Sequence, residues 1–159
     1  METLQRITNC MIEYEGRLLM IKKPKRGWWY VPGGKMEHEE LAPEAAAREV
    51  YEETGLTIRR PELRGILTHL VTDGESYVEK RTMFLFYAKG FSGTLRSRSP
   101  EGELDWIPVS GLSDIPMDEA DRKAVSAVMN EPGLLYGTLI YNHHRELQEA
   151  VFELNGRRL

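Results

Sequence analysis

Gly34-Lys35-Met36-Glu37-His38-Glu39-Glu40-Leu41-Ala42-Pro43-Glu44-Ala45-Ala46-Ala47-Arg48-Glu49-Val50-Tyr51-Glu52-Glu53-Thr54-Gly55-Leu56 is the stretch on which the reading of this chain turns. It opens on a glycine pair, Gly33-Gly34, crosses a polar loop, and becomes alanine-rich from Ala42 to Thr54. Alanine density predicts a helix there, and Gly55 stands where a helix commonly stops. Glu49, Glu52 and Glu53 are spaced i, i+3, i+4, so their carboxylates share an arc of about 100° on one helix face. Like charges at that spacing repel, and in the C-terminal half of a helix they also oppose its dipole. Such an arrangement suits a hard cation, which takes carboxylate oxygens together with waters and phosphate oxygens. Ala45 and Ala46, one turn earlier, are expected to leave room for a ligand. The competing reading is a solvated acidic face, because Arg48 has Glu44 and Glu52 at i−4 and i+4.

The glycines weigh against that competitor. Without side chains, Gly33 and Gly34 let backbone approach a phosphate or metal closely, and Lys35 adds a cation at the same turn. A glycine turn leading into a carboxylate-lined helix makes a sensible diphosphate site: the metal neutralises phosphate charge and a carboxylate activates water.

Gly34, five residues, Glu40, seven residues, then Arg48-Glu49-Val50-Tyr51-Glu52-Glu53-Thr54-Gly55-Leu56 resembles a complete Nudix box. The lead-in Trp29-Tyr30-Val31-Pro32-Gly33-Gly34 is similar to that family's usual approach. The resemblance implies an α+β fold, a Nudix-like α/β/α sandwich with a mixed β-sheet and two principal helices, as a single domain over residues 1–159. It implies a hydrolase of nucleotide diphosphate bonds with Mg²⁺ as cofactor and Mn²⁺ as a substitute. Glu49, Glu52 and Glu53 are implied as metal ligands, with a backbone carbonyl at Gly33-Gly34. Arg48 and Glu40 are implied to pair and hold the loop to the helix. Glu101 is implied as a further ligand or general base, with Glu103 as its rival. One departure concerns the helix start: many boxes place Pro-Gly before the first glutamate and Ser or Thr after it, where this chain has His38-Glu39 and Leu41. The capping box is lost, although Pro43 suits the first turn.

Among Nudix branches the chain resembles the nucleoside triphosphate enzymes, including MutT-like proteins that remove oxidised purine nucleotides. Three segments carry this: Gly16-Arg17-Leu18-Leu19-Met20-Ile21-Lys22-Lys23, Trp106, and Pro116-Met117-Asp118-Glu119-Ala120-Asp121. They imply that Trp106 stacks on a base and that Asp118 or Asp121 accepts from purine N–H groups; Lys22, Lys23 and Arg26, with Gly34 and Lys35 of the glycine turn, are expected at the phosphates. Asp118 also reads as a helix N-cap. His69-Leu70-Val71-Thr72-Asp73 has no proline where ADP-ribose-cleaving relatives often carry one. Dinucleoside polyphosphates, guanosine alarmones, an RNA 5′ end and a non-catalytic nucleotide sensor are the alternatives; the intact glutamate set argues against the last.

The rest of the chain frames this reading. Its 159 residues, 41% apolar and 29% charged, suit one globular domain. A net charge of −4 argues against duplex nucleic acid as partner; a small nucleotide is expected instead, on a monomer or homodimer. Cys10 is the only cysteine and reads as a buried thiol. The N-terminus does not resemble a signal peptide, and no run of 18 apolar residues exists to span a membrane, so a cytoplasmic protein is expected. Strands are expected over 7–14, 17–21, 63–72, 77–88, 104–107, 134–141 and 147–154. A second helix is expected over 117–129 and a polar loop over 90–102. His143-His144 reads as turn surface.

Overall fold

The computed structural model describes residues 4–159. Strands β1 (Gln5–Tyr14) and β2 (Arg17–Lys23) form the first hairpin, followed by β3 (Trp28–Tyr30), β4 (Gly33–Lys35) and helix α1 (Ala42–Thr54). Then come β5 (Leu56–Arg59), β6 (Glu62–Thr72), β7 (Tyr77–Ala88), β8 (Gly90–Gly93) and β9 (Glu103–Pro108). A 3-10 turn (Val109–Asp114), helix α2 (Glu119–Asn130) and the terminal strands β10 (Leu135–Asn142), β11 (Leu147–Leu154) and β12 (Arg157–Arg158) complete the chain.

The main sheet runs β12-β11-β10-β6-β7-β1-β2-β3, with β4 also on β1 and β9 also on β2. It is mixed: β1–β7 and β10–β6 are parallel, the remaining pairs antiparallel. Alternation along the strands feeds two cores. Met11, Leu18, Met20, Leu85 and Leu139 pack towards Ala120, Ala124 and Val125 of α2. Cys10, Ile12, Leu19 and Phe86 pack towards Ala46 and Val50 of α1. Because strands buried on both faces need apolar residues at successive positions, β1 carries Cys10, Met11 and Ile12 in succession, all fully buried. The α/β/α sandwich with two principal helices is therefore the observed fold.

Three local expectations are corrected. Gly33-Gly34, expected as a turn, is strand β4, paired to Thr8 and Asn9 of β1. The segment 90–102 opens with β8, which pairs with β5, a strand that local sequence did not announce; Phe91 faces Ile58 in that register and packs on the α1 side. Ala45 and Ala46 are fully buried and leave no ligand space: their small side chains let α1 sit close to the sheet.

Helix ends behave as their residues dictate. Leu41 provides no side-chain cap for α1, Pro43 stands in the first turn, and Gly55 closes the helix in the left-handed region at φ 83°. The Asp118 carboxylate caps α2 by accepting from the Asp121 amide at 3.2 Å. Cys10 lies fully buried, and burial pushes its thiol up to about 12. No helix among the described residues is long and apolar enough to cross a membrane.

Candidate active site

The loop before α1 is shaped by Glu40 rather than by a helix cap. Its carboxylate accepts the Glu37 amide at 2.8 Å and is gripped by Arg48, Nε to Oε2 at 2.7 Å and Nη2 to Oε1 at 2.8 Å. Arg48, then the loop amide, hold this carboxyl down at about 2. The expected Arg48–Glu40 pair is thus present. The same guanidinium donates to the Lys35 carbonyl at 3.0 Å, to Glu49 Oε1 at 3.0 Å and to Glu52 at 3.3 Å. Arg48 therefore links the loop, β4 and two of the three aligned glutamates.

Glu49 closes onto the glycine turn. A Cβ at Gly34 would lie 2.5 Å from the Glu49 carboxyl carbon, so only glycine admits that carboxylate here. Gly33 is tighter still: its Cβ would lie 2.0 Å from the Thr8 carbonyl oxygen. Lys35 is exposed at the end of this strand.

Glu53 differs from its neighbours. It is 5% exposed, and its Oε2 has no hydrogen-bond partner. Burial pushes its carboxyl up to about 8; the charge of Lys23 and the Gly33 amide pull the other way, while Glu49 and Glu101 raise it. Lys23 also pairs with Glu101 at 3.9 Å. The structure thus brings Gly33, Gly34, Lys23, Glu49, Glu53 and Glu101 together, with Glu52 more exposed at the Arg48 end. Glu103 lies exposed on β9, opposite Lys22.

These residues fit a divalent metal. A buried carboxylate oxygen without a partner, beside a glycine cradle filled by a second carboxylate, is a donor set for a hard cation. Among the described residues no three acidic or histidine side chains already form a closed metal-binding cluster. Mg²⁺ does not demand one, since it usually takes one or two carboxylates plus waters and phosphate oxygens.

From Lys23 a cavity of about 440 Å³ opens over the sheet. Trp28 and Tyr30 line one side, and Asp118 and Asp121 stand at the start of α2. His69, Arg81, Tyr141, Arg145 and Asn9 complete the lining. Four buried polar atoms here have no partner: Asn9 Oδ1, Tyr30 Oη, His69 Nδ1 and Arg81 Nε. Burial, then the neighbouring Asp118, pushes Asp121 well above the usual carboxylate range. Burial, then Arg81 and Arg145, holds His69 down at about 4, so its imidazole is neutral at pH 7.

Asp118 and Asp121 are therefore together as expected, but Trp106 is not with them. It contacts Phe91 and Tyr14, ring centroids 5.7 and 5.9 Å away, and packs on the α1 core. Alternation on β9 decides this, because Ile107 points to the α2 side. The aromatics at the cavity are Trp28 and Tyr30. The run Trp28-Trp29-Tyr30 beside the glycines was the available signal for them. For His69 and Arg81 it was a polar pair in two half-buried strands, and the two face each other in register. His143 and His144 are exposed in the β10–β11 turn, as expected.

Residues 4–128 match the family model for the NUDIX domain. The chain is 40% identical over 147 residues to the uncharacterized Nudix hydrolase YvcI of Bacillus subtilis, covering 92% of this chain and 93% of that one. It is 29% identical to an 8-oxo-(d)GTP phosphatase of Mycolicibacterium smegmatis, over 78% of this chain and 37% of that one. Among solved structures, the mutator MutT protein of Bacillus halodurans superposes with a TM-score of 0.90 at 38% identity, covering 94% of this chain and 97% of that one. With the box geometry in place and the fold matched along nearly its whole length, the chain belongs to the Nudix hydrolase family, in its MutT-like branch, whose members hydrolyse nucleotide diphosphate derivatives.

Proposed function

We propose that this enzyme hydrolyses a purine nucleoside triphosphate, of the GTP or 8-oxo-dGTP type, to the monophosphate and pyrophosphate. The observation that carries this reading is Lys23: it lines the cavity that holds Trp28, Asp118 and Asp121, and its charge acts on Glu53. A base seated between the aromatics and the aspartates then has its phosphates directed towards the glycine turn. The 8-oxo-(d)GTP phosphatase relative supports the same class.

Glu49, Glu52 and Glu53, with the Gly33-Gly34 backbone and Glu101, are assigned to hold Mg²⁺, with Mn²⁺ as substitute. When bound, the metal polarises the phosphoryl oxygens and the attacking water. Glu53 is assigned to take the proton of that water: it is the buried carboxyl with a free oxygen and a proton affinity near neutrality. Glu101, at the end of the Lys23 pair, is the alternative base. Lys35 and Lys23 are assigned to the phosphates. Asp118 and Asp121 are assigned to the base edge, and Trp28 rather than Trp106 to its face.

A second reading is a guanosine polyphosphate alarmone. Arg26, Arg81 and Arg145 all stand at the cavity; Arg81 and Arg145 share one carboxylate, Glu79. This is more positive charge than a bare nucleoside needs.

The test is a phosphate and pyrophosphate release screen with Mg²⁺ over normal and 8-oxo purine triphosphates, alarmones, diadenosine polyphosphates and ADP-ribose. Glu53→Gln is expected to bind nucleotide and keep less than about a tenth of the turnover. Silence of the wild type on every triphosphate would overturn the first reading, and preferred cleavage of an alarmone would select the second.

A further inference from the structure

The family match ends at residue 128, yet the candidate base cavity does not. The hairpin β10–β11 lies beyond that point and extends the sheet by pairing β10 in parallel with β6. In this register Tyr141 stands beside Val71. Its ring stacks on His69, centroids 4.6 Å apart at 33°, and is itself 6% exposed.

The Tyr141 hydroxyl donates to Asp118 Oδ2 at 2.6 Å. The Asp121 amide donates to the same oxygen at 3.2 Å. Two donors from different parts of the chain thus converge on one oxygen of a carboxylate that is 7% exposed. A single cap bond leaves a carboxylate free to turn about its Cβ–Cγ bond, whereas a second donor, supplied from β10, restrains that turn. Oδ1 is then left as the acceptor, in a cavity that also contains the unpartnered Tyr30 Oη and His69 Nδ1. A buried acceptor of fixed direction rejects a base edge that offers it no N–H, because the mismatch leaves a buried polar group unpaired.

We propose that Tyr141 is a positioning residue for substrate: through Oδ2 of Asp118 it holds Oδ1 towards the base edge, so that the C-terminal hairpin sets base discrimination. This rests on the reading that the cavity receives the purine. Tyr141 touches Asp118 and need not touch the substrate itself.

Tyr141→Phe tests it, since it keeps the ring and its stacking on His69 and removes only the hydroxyl. Binding of GTP and of ATP is measured by Trp fluorescence in metal-free buffer, and KM and kcat are measured with Mg²⁺. Expected results are a roughly tenfold weaker affinity and higher KM for GTP, as for loss of a hydrogen bond to a charged group. The GTP-over-ATP preference narrows, and kcat changes by less than about threefold. In an Asp118→Ala background the same substitution has no further effect, which a merely structural tyrosine would not show. The proposal is overturned if Tyr141→Phe binds both nucleotides as the wild type does. It is also overturned if its effect is undiminished in Asp118→Ala. Wild-type protein that ignores purine triphosphates altogether would overturn both this proposal and the reading beneath it.

Discussion

Arg48 grips Glu40 through two parallel hydrogen bonds, at 2.7 and 2.8 Å, and from the same guanidinium reaches Glu49 at 3.0 Å. The planar fork suits this geometry, and an ammonium cannot reproduce it. The pair acts at one remove: it fixes the loop with one side of the guanidinium and a glutamate of the proposed metal site with the other. Arg48→Lys is expected to fold, with a lowered thermal midpoint. Its Mg²⁺ concentration for half-maximal activity should rise about tenfold, the scale seen when groups supporting metal ligands are lost. A metal titration of activity that overlays the wild-type curve would refute this coupling.

The two glycines of β4 should fail differently. An alanine at Gly34 meets the movable carboxylate of Glu49, whereas an alanine at Gly33 meets the Thr8 backbone. Gly34→Ala is therefore expected to fold with a nearly normal melt and lose at least about tenfold in turnover as Glu49 is displaced. Gly33→Ala is expected to lose β4–β1 pairing and express poorly or melt many degrees lower. Melting curves beside initial rates separate the two cases, and equal behaviour would contradict the packing described for that strand.

Local signals carried some features and not others. The helix Ala42–Thr54 was legible because alanine density and Gly55 are local, and so was the Asp118 cap. The Glu49, Glu52 and Glu53 face was legible because helical spacing alone aligns it. β5 and β8 were not, because two four-residue strands, one of them bounded by Gly90 and Gly93, exist only through pairing with each other. The cavity wall was not either: Asn9, His69, Arg81 and Tyr141 come from four strands, and no spacing along the chain announces their meeting. The face on which Trp106 would point depended on the register of β9 with β2, a property of the pairing rather than of the residue.

Trp28 and Trp106 offer a paired test of that correction. Trp28 lines the cavity and carries Arg26 over its ring at 4.9 Å. Trp106 packs against Tyr14 and Phe91. Trp28→Ala is expected to raise the KM for purine nucleotides about tenfold, as loss of stacking would, with a small change in stability. Trp106→Ala is expected to leave KM within about twofold and to cost about 2 kcal/mol, below the range for a fully buried Trp. For a chain of this size that is a fall of roughly 4–8 °C in melting temperature. A KM defect confined to Trp106→Ala would restore the expectation drawn from the sequence.

Glu53 predicts how metal-free stability depends on pH. Its ordinary value is 4.5, and burial raises it to about 8 in the folded protein. Between those values the native state holds a proton that the unfolded chain has released. Stability therefore falls as pH rises, by at most about 1.4 kcal/mol per unit, and levels off above about pH 8. The contribution is fully present below pH 4.5 and lost through the folded value. Glu53→Gln cannot ionise and lacks this slope. In EDTA its melting temperature should pull ahead of the wild type between pH 6 and 8.5. Added Mg²⁺ should close the gap by compensating the wild-type carboxylate, since it binds the native state selectively. Parallel melting curves across that pH range would mean that the Glu53 carboxyl is not desolvated as its burial and unpartnered Oε2 indicate.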